Sequence, residues 1–510
     1  MLGTATSTVI GAAAVIVIAR LLGPSNYGLY SLVFVLPSLF VSVADFGVSP
    51  SLTRFSASLR SRHEYRRLAS MMSSGLLFTL IASSVAYLST FLFAGQLAGF
   101  VLQRQDMGYL LSIASVMIVF QGLFSVSYST FVGLDRMGQS AVIIVLRDLA
   151  RLILSPVLIL AGFGVVGAIA GAVSGGAMAG VLGLCLLLVH RRALATASGE
   201  NSGEGGLREN IKIMMAYGLP LYAGSLLAAV LGQYQTIVLA FFTTDAEIGN
   251  FKAAVNFGSL IGVVATPVAT ALFPAFSKLD LRTRREDLRR MFESSVQYTS
   301  LLIFPATIPI AVLSRDLIRA IYGAAYTPAS TYLALYVGVF LLTGLGSLVV
   351  SSFLNGIGRT RETLKIAGLQ LAVFLPVAPV MTWLFRVPGL IGALILSALI
   401  SISYGLWLAT GVHEMRVNLL GSLATLAAAL VSAVPVLPIL YYSVMSSLAN
   451  VILGGLLYLL AYLTLAPVFG AVRRADIQTL APILGQIRIL KPVIDLIFAY
   501  EARILTALRR

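Results

Sequence analysis

Fourteen apolar stretches, each followed by a short polar gap, organise this chain. A helix needs about 20 mostly apolar residues to cross about 30 Å of hydrocarbon. Stretches near that length fall at 3–20, 29–53, 68–94, 109–132, 141–161, 164–190, 212–242, 251–277, 292–314, 329–355, 363–385, 389–411, 419–442 and 450–470. They neither alternate with period two nor stop near ten residues, so the pattern predicts membrane-spanning helices rather than the strands of a barrel. The first stretch, Leu2 to Ala19, lacks a basic segment before it and meets Arg20 and Pro24 instead of a small-residue cleavage site. It reads as a retained helix, not a signal peptide.

Composition agrees: 58% of the 510 residues are hydrophobic and 11% charged, more apolar than any water-soluble fold hides. The formal charge of +15 would suggest nucleic acid in a soluble chain, but its distribution explains it without such a partner. With the amino terminus in the cytoplasm, every second gap and the tail carry 27 of the 35 basic residues, among them Arg54, Arg60, Arg62, Arg66, Arg67, Arg136, Arg191, Arg192, Lys278, Arg289, Arg359 and Lys365. Arg20, Arg104, Lys252, Arg315, Arg319 and Arg386 fall toward the outer side. The positive-inside rule then predicts a multi-pass cell-membrane protein with both termini cytoplasmic and anionic lipid headgroups as its basic residues' partner. Cys185 stands alone, so one chain builds no disulfide framework.

The chain also repeats. Gly28, in the segment from Arg20 to Tyr30, aligns with Gly249, in the segment from Phe241 to Phe251, at a shift of 221; Ser129 to Arg136 answers Ser351 to Arg359 at 222 to 223, and Gly164 to Ala168 answers Gly389 to Ala393 at 225. Each match alone is what 46 glycines produce by chance; their shared offset makes the repeat. A unit of six spans keeps both copies in one orientation, one of the known transporter designs. The expected organisation is an N-lobe at 1–190, a cytoplasmic linker at 191–211, a C-lobe at 212–411, an appended helix pair at 412–470 and an amphipathic cytoplasmic tail at 471–510. Both lobes would enclose a central cavity. The linker holds a Ser/Gly/Glu-rich run from 198 to 206 and reads as a flexible tether. In the tail, Ile477, Leu480, Leu484 and Ile487 precede an apolar run from Val493 to Leu508, the pattern of an interfacial helix, with a partner-binding tail as the alternative.

Parts for an enzyme are missing. His63, His190 and His413 lie in separate gaps, and none of the five lysines follows a glycine, so neither a metal-ligand spacing nor a phosphate-binding loop is present. No cofactor is expected; a proton or sodium gradient, or the membrane potential, would drive transport. What remains is charge where hydrocarbon penalises it. Asp45 and Asp148 are the acids deep within spans, and Arg147 and Arg151 the deepest bases. Arg147 and Arg151, four apart, share a helix face, and Asp148 stands three before Arg151 and is positioned to pair with it. Two guanidiniums incompletely neutralised suit a phosphate or diphosphate; snorkelling to the inner headgroups is the alternative. Asp45 is open between a coupling cation, an arginine across the cavity and a structural pairing. Arg20 and Lys252 read either as receivers of an anionic headgroup or as interfacial anchors, and Asn256 as a cavity residue binding hydroxyls or a helix-to-helix hydrogen bonder.

At Ala19-Arg-Leu-Leu-Gly-Pro-Ser-Asn-Tyr-Gly-Leu-Tyr30 the chain resembles the opening signature of the polysaccharide flippase family, the Wzx-like branch of the multidrug, oligosaccharidyl-lipid and polysaccharide exporter superfamily. Ala44-Asp-Phe-Gly47, Leu272-Phe-Pro274, Ile321-Tyr-Gly-Ala-Ala-Tyr326 and Leu354-Asn-Gly-Ile-Gly-Arg359 extend the resemblance across both lobes. It implies twelve to fourteen spans in two lobes around a cationic lumen, and movement of polyprenyl-(di)phosphate-linked oligosaccharides to the outer leaflet by alternating access in a monomeric transport unit. Arg20 and Asp45 carry over as lumen residues through their matching segments, whereas Arg147, Arg151 and Lys252 rest on the charge argument. The second lobe offers Thr266 where the first has Asp45, so ion coupling would be lopsided.

The nearest rival is a cation-coupled drug or metabolite antiporter of the same superfamily, whose cationic cargo would favour acids over arginines in the lumen. A major-facilitator transporter lacks support, since Arg54 to Arg62 replaces its usual glycine-and-aspartate loop. A membrane glycosyltransferase or polymerase would need catalytic acids or a large outer loop, and the outer gaps are short.

Overall fold

The computed structural model describes residues 2–196, 206–279, 285–442, 446–473, 476 and 491–507. The linker run at 198–206, except Gly206, and the tail residues Ile477 to Ile487 lie outside the described residues. Helix dominates everything described. The principal helices of the first part are α1 (Leu2–Val33), α2 (Val35–Ala44), α3 (Val48–Ser61), α4 (Tyr65–Leu92), α5 (Met117–Gly133), α6 (Met137–Leu158), α7 (Gly164–Thr196) and α8 (Leu207–Phe242). Those that follow are α9 (Asp245–Ser277), α10 (Arg285–Val312), α11 (Thr327–Tyr336), α12 (Ser347–Gly356), α13 (Thr360–Trp407), α14 (Leu419–Val431), α15 (Ser447–Val468) and α16 (Lys491–Ala507).

Among the described residues, ten helical segments are long and apolar enough to cross a membrane. Two of them, Met137–Ala193 and Thr360–Val412, each contain two of the stretches read from the sequence. The first doubles back where Gly162 and Gly164 take positive φ, so that α6 and α7 pack side by side; the second breaks at Arg386, φ 55°. Leu160, Trp383 and Leu420 are 74%, 69% and 80% exposed, which in water would be a fault and in lipid is the ordinary outward face of a span. The fold is an all-α polytopic membrane protein.

The chain divides into two compact units, one of residues 1–252 with 378–390 and one of residues 253–377 with 391–510. α8, which opens the expected C-lobe in sequence, packs against α2, α3 and α4. In the first unit Val48, Leu52, Met72, Phe131, Ile143 and Met214 form a buried apolar core. Small residues let its backbones touch. A Cβ on Gly28 would lie 1.8 Å from the Asp245 carbonyl oxygen, and one on Gly249 would lie 1.9 Å from that of Pro24 and 3.0 Å from the Gly28 nitrogen, so the two glycines aligned by the repeat meet backbone to backbone. The connection from Arg20 to Tyr30, which the apolar pattern leaves between spans, is helical and continuous with α1, bent at Gly23, φ 73°, with Pro24 opening the next turn.

Among the described residues of the second unit, two apolar clusters stand out. Phe353 meets Phe276 and Phe292 edge to face with centroids 5.5 and 5.2 Å apart, and Phe304, Tyr458 and Tyr462 gather α10, α14 and α15. The tail helix α16 packs on α15, with Leu505 buried and the Tyr500 hydroxyl 2.9 Å from that of Thr464.

Candidate functional site

The stretch at 29–53 is not one helix. It stops at Ala44, Phe46 and Gly47 take left-handed dihedrals, φ 45° and 81°, and α3 restarts at Val48. A phenylalanine in that region costs about 1 kcal/mol or more, and restarting a helix inside a membrane strands its first amides. Asp45 answers both needs locally. Its carboxylate accepts from the Ser49 amide at 3.4 Å and from the Ser49 hydroxyl, and its carbonyl accepts from the Val48 amide at 2.8 Å. Gly47 is required because α8 lies on the break: a Cβ there would sit 2.3 Å from the Gly218 carbonyl carbon. The Ser51 hydroxyl donates to the Met214 carbonyl at 2.7 Å beside it. No arginine bonds Asp45 among the described residues; its partner is Ser49.

A cavity of about 250 Å³ opens next to this break. Its walls are Ser42, Asp45 and Ser49 around the break, Thr79 and Ser83 from α4, Gly122, Phe124, Ser125, Tyr128 and Ser129 from α5, and Tyr222 from α8. The Tyr222 hydroxyl donates to the Ser42 carbonyl at 3.0 Å, which ties α8 to α2. Phe124 and Tyr128, one turn apart, stack with centroids 5.7 Å apart. The Thr79 hydroxyl is buried without a partner. One carboxylate and several hydroxyls share this space with Val41, Ala44, Ile118 and Phe124, and no arginine lines it.

The deep arginines stand nearby, on α6. Arg147 donates from Nε to Asp148 Oδ1 at 2.9 Å and from Nη2 to Oδ2 at 3.4 Å, and its guanidinium lies 4.8 Å from the centre of the Phe124 ring. The Ser7 hydroxyl of α1 donates to the other side of Asp148. Arg151 turns instead to α1, donating from Nη2 to the Tyr30 hydroxyl at 2.9 Å, while its Nε is buried without a partner. The expected Asp148–Arg151 pair is thus corrected to Arg147–Asp148, because Arg147 reaches both carboxylate oxygens and Tyr30 occupies Arg151. Two cations face one anion, leaving a net positive charge.

The other candidates lie apart from this cluster. Arg20 is exposed, and Lys252 is half-buried with no hydrogen bond or ion pair among the described residues. Asn256, half-buried, belongs to the second unit, where its carbonyl accepts from the Ser259 hydroxyl at 2.6 Å. Two further cations gain acids that sequence reasoning did not assign: Arg104 pairs with Asp245 at 3.0 Å and Arg386 with Glu247 at 3.5 Å. Ser7, Tyr30, Phe124 and Tyr222 were also missed as partners. A signal existed in α5, where Ser125, Ser127, Ser129 and Thr130 crowd an apolar run.

Comparison with known proteins fits this architecture. The chain is 21% identical over 351 residues, 69% of its length and 68% of the relative's, to a probable low-salt glycan biosynthesis flippase of Haloferax volcanii. It is 23% identical over 367 residues, 71% and 69% of the two chains, to a lipopolysaccharide biosynthesis protein of Escherichia coli. Among solved structures, a lipid II flippase in an inward closed conformation superposes with a TM-score of 0.70, covering 90% of this chain and 97% of the other at 15% identity. An inward-facing multidrug resistance transporter of the MOP superfamily gives 0.68, covering 80% and 94% at 15% identity; at these identities the likeness is one of fold. The family model described as polysaccharide biosynthesis protein matches residues 1–280, more than half of the chain, and the protein belongs to that family.

Proposed function

We propose that this protein is a flippase that moves polyprenyl-(di)phosphate-linked oligosaccharides from the cytoplasmic to the outer leaflet of the cell membrane, as a monomeric transporter rather than an enzyme, with both termini cytoplasmic. The observation that carries the reading is membership of a polysaccharide biosynthesis family, beside a similarity to a probable glycan biosynthesis flippase. Physics supplies the need. A charged diphosphate and a set of sugar hydroxyls each lose several kcal/mol of hydration on entering hydrocarbon, so such a lipid does not cross unaided. Polar surface inside the bundle removes much of that cost, and alternating access needs no covalent chemistry. In this reading the net positive cluster of Arg147, Asp148 and Arg151 attracts the diphosphate, Arg20 and Lys252 receive it at the outer side, and Asn256 meets sugar hydroxyls. A proton or sodium gradient, or the membrane potential, supplies the drive.

The test is transfer of a fluorescent polyprenyl-diphosphate oligosaccharide across proteoliposomes. Arg151→Gln leaves the Arg147–Asp148 pair in place and should slow transfer about tenfold, the equivalent of one charge-assisted hydrogen bond. No transfer by the wild-type protein, together with uptake of an organic cation, would replace this reading with the antiporter that shares the fold.

A further inference from the structure

We propose that the cavity beside Asp45 is a sugar subsite that seats one uncharged pyranose ring of the cargo and rejects sugars bearing a carboxylate. The inference rests on the flippase reading for its cargo, and on the cavity alone for its chemistry. Its volume of about 250 Å³ equals roughly eight waters at about 30 Å³ each, too roomy for a desolvated ion, whose ligands must close to within about 2.5 Å on all sides, and below the roughly 300 Å³ at which drug-sized sites begin. A single sugar ring with its hydroxyls is of that size.

The lining matches such a ring in kind. A pyranose presents hydroxyls around its edge and C–H groups on its faces. Asp45 offers a strong acceptor at the edge, held in place because Ser49 donates to both of its oxygens. Ser125, Tyr128 and Ser129 line the same space with groups that both donate and accept, and the stacked Phe124 and Tyr128 rings supply an apolar surface. Gly122 lets α5 approach α4 closely at this wall, since a Cβ there would come within 3.1 Å of Thr79 and 3.2 Å of Ser83. The same carboxylate sets the selectivity. No arginine or lysine lines the cavity, and Arg147, on the Phe124 ring, is already paired with Asp148, so the charge in the cavity wall that a uronate brought in would meet is the Asp45 carboxylate.

Saturation-transfer NMR on the full chain in nanodiscs tests this with free methyl glycosides: the glucoside, galactoside, mannoside and N-acetylglucosaminide against the methyl glucuronide. At least one neutral glycoside should give signal, with the glucuronide bound about tenfold more weakly. Asp45→Asn retains an oxygen to accept from Ser49, and should bring neutral and acidic sugars within about threefold of each other. Tyr128→Leu should lower neutral binding about fivefold, the loss expected of one aromatic platform, without restoring the glucuronide. Absence of signal from every neutral glycoside, equal or tighter binding of the glucuronide by the wild type, or an unchanged preference in Asp45→Asn would overturn the proposal. So would a sodium-induced rise in melting temperature that Asp45→Asn abolishes while no glycoside binds, since that assigns the space to an ion. Sugar binding without lipid transfer would sink the flippase reading and keep the subsite; transfer without sugar binding would do the reverse.

Discussion

Asp148 shows how one buried acid organises its surroundings. Ser7 and Arg147 between them engage both its oxygens, and its side chain is 9% exposed against 29% for Arg147. Removing its charge strands a half-buried guanidinium. The full penalty for breaking a buried pair is about 3 to 5 kcal/mol, and the partial exposure of Arg147 lowers it, so Asp148→Asn should cost roughly 2 kcal/mol. A melting temperature several degrees lower in detergent would show this, and a second change, Arg147→Gln, should restore part of the loss; an unshifted melting temperature in Asp148→Asn would show that the pair holds nothing. Sequence made the participants legible here, because charges four apart within apolar stretches are conspicuous. It did not make the pairing legible: the choice between Arg147 and Arg151 was decided by Tyr30, which lies 121 positions from Arg151. No periodicity within α6 records what stands opposite it.

At the scale of elements, two of the three glycines of α8, Gly218 and Gly224, have opposite environments. A Cβ on Gly218 would lie 1.9 Å from the Gly47 carbonyl oxygen, whereas one on Gly224 meets nothing within 4 Å. Gly218→Ala should therefore push α8 off the break in the second stretch and lower the folded yield severely, while Gly224→Ala should be neutral or stabilise by up to about 1 kcal/mol through helix propensity; size-exclusion profiles of the two variants separate the cases. The tail helix makes a pH prediction. Burial raises the Glu501 carboxyl from 4.5 to about 7, so the docked helix holds a proton that the undocked one releases. Docking is then strongest below pH 4.5 and weakens as pH rises to about 7, by up to roughly 3 kcal/mol. Hydrogen exchange in α16 should quicken across that interval, and Glu501→Gln should flatten the dependence. The apolar pattern anticipated helix in these regions. It missed the break at Asp45 to Gly47, since a stretch that is apolar throughout carries no mark of where left-handed dihedrals interrupt it, although the glycine was a hint.

For the whole molecule, hydropathy made the all-helical membrane class plain, because lipid leaves the backbone few choices. Helix neighbours were less accessible: α8 packs against α2, α3 and α4, and the order of stretches along the chain does not say which neighbour a helix chooses. Orientation remains an expectation with its own measurement. In a Cys185→Ser background, single cysteines replacing Glu64 or Arg361 should react with a membrane-impermeant maleimide only after cells are opened, and ones replacing Asp106 should react in intact cells; the opposite pattern would invert the topology. The meeting of Gly28 with Gly249 reaches further. Because the two chain segments already touch at their main-chain atoms, neither position has slack that a change at the other creates. Saturation libraries at both sites should therefore return nearly empty lists of tolerated residues, with no compensating pairs, so that two codons more than 200 apart behave under selection as one indivisible hereditary trait.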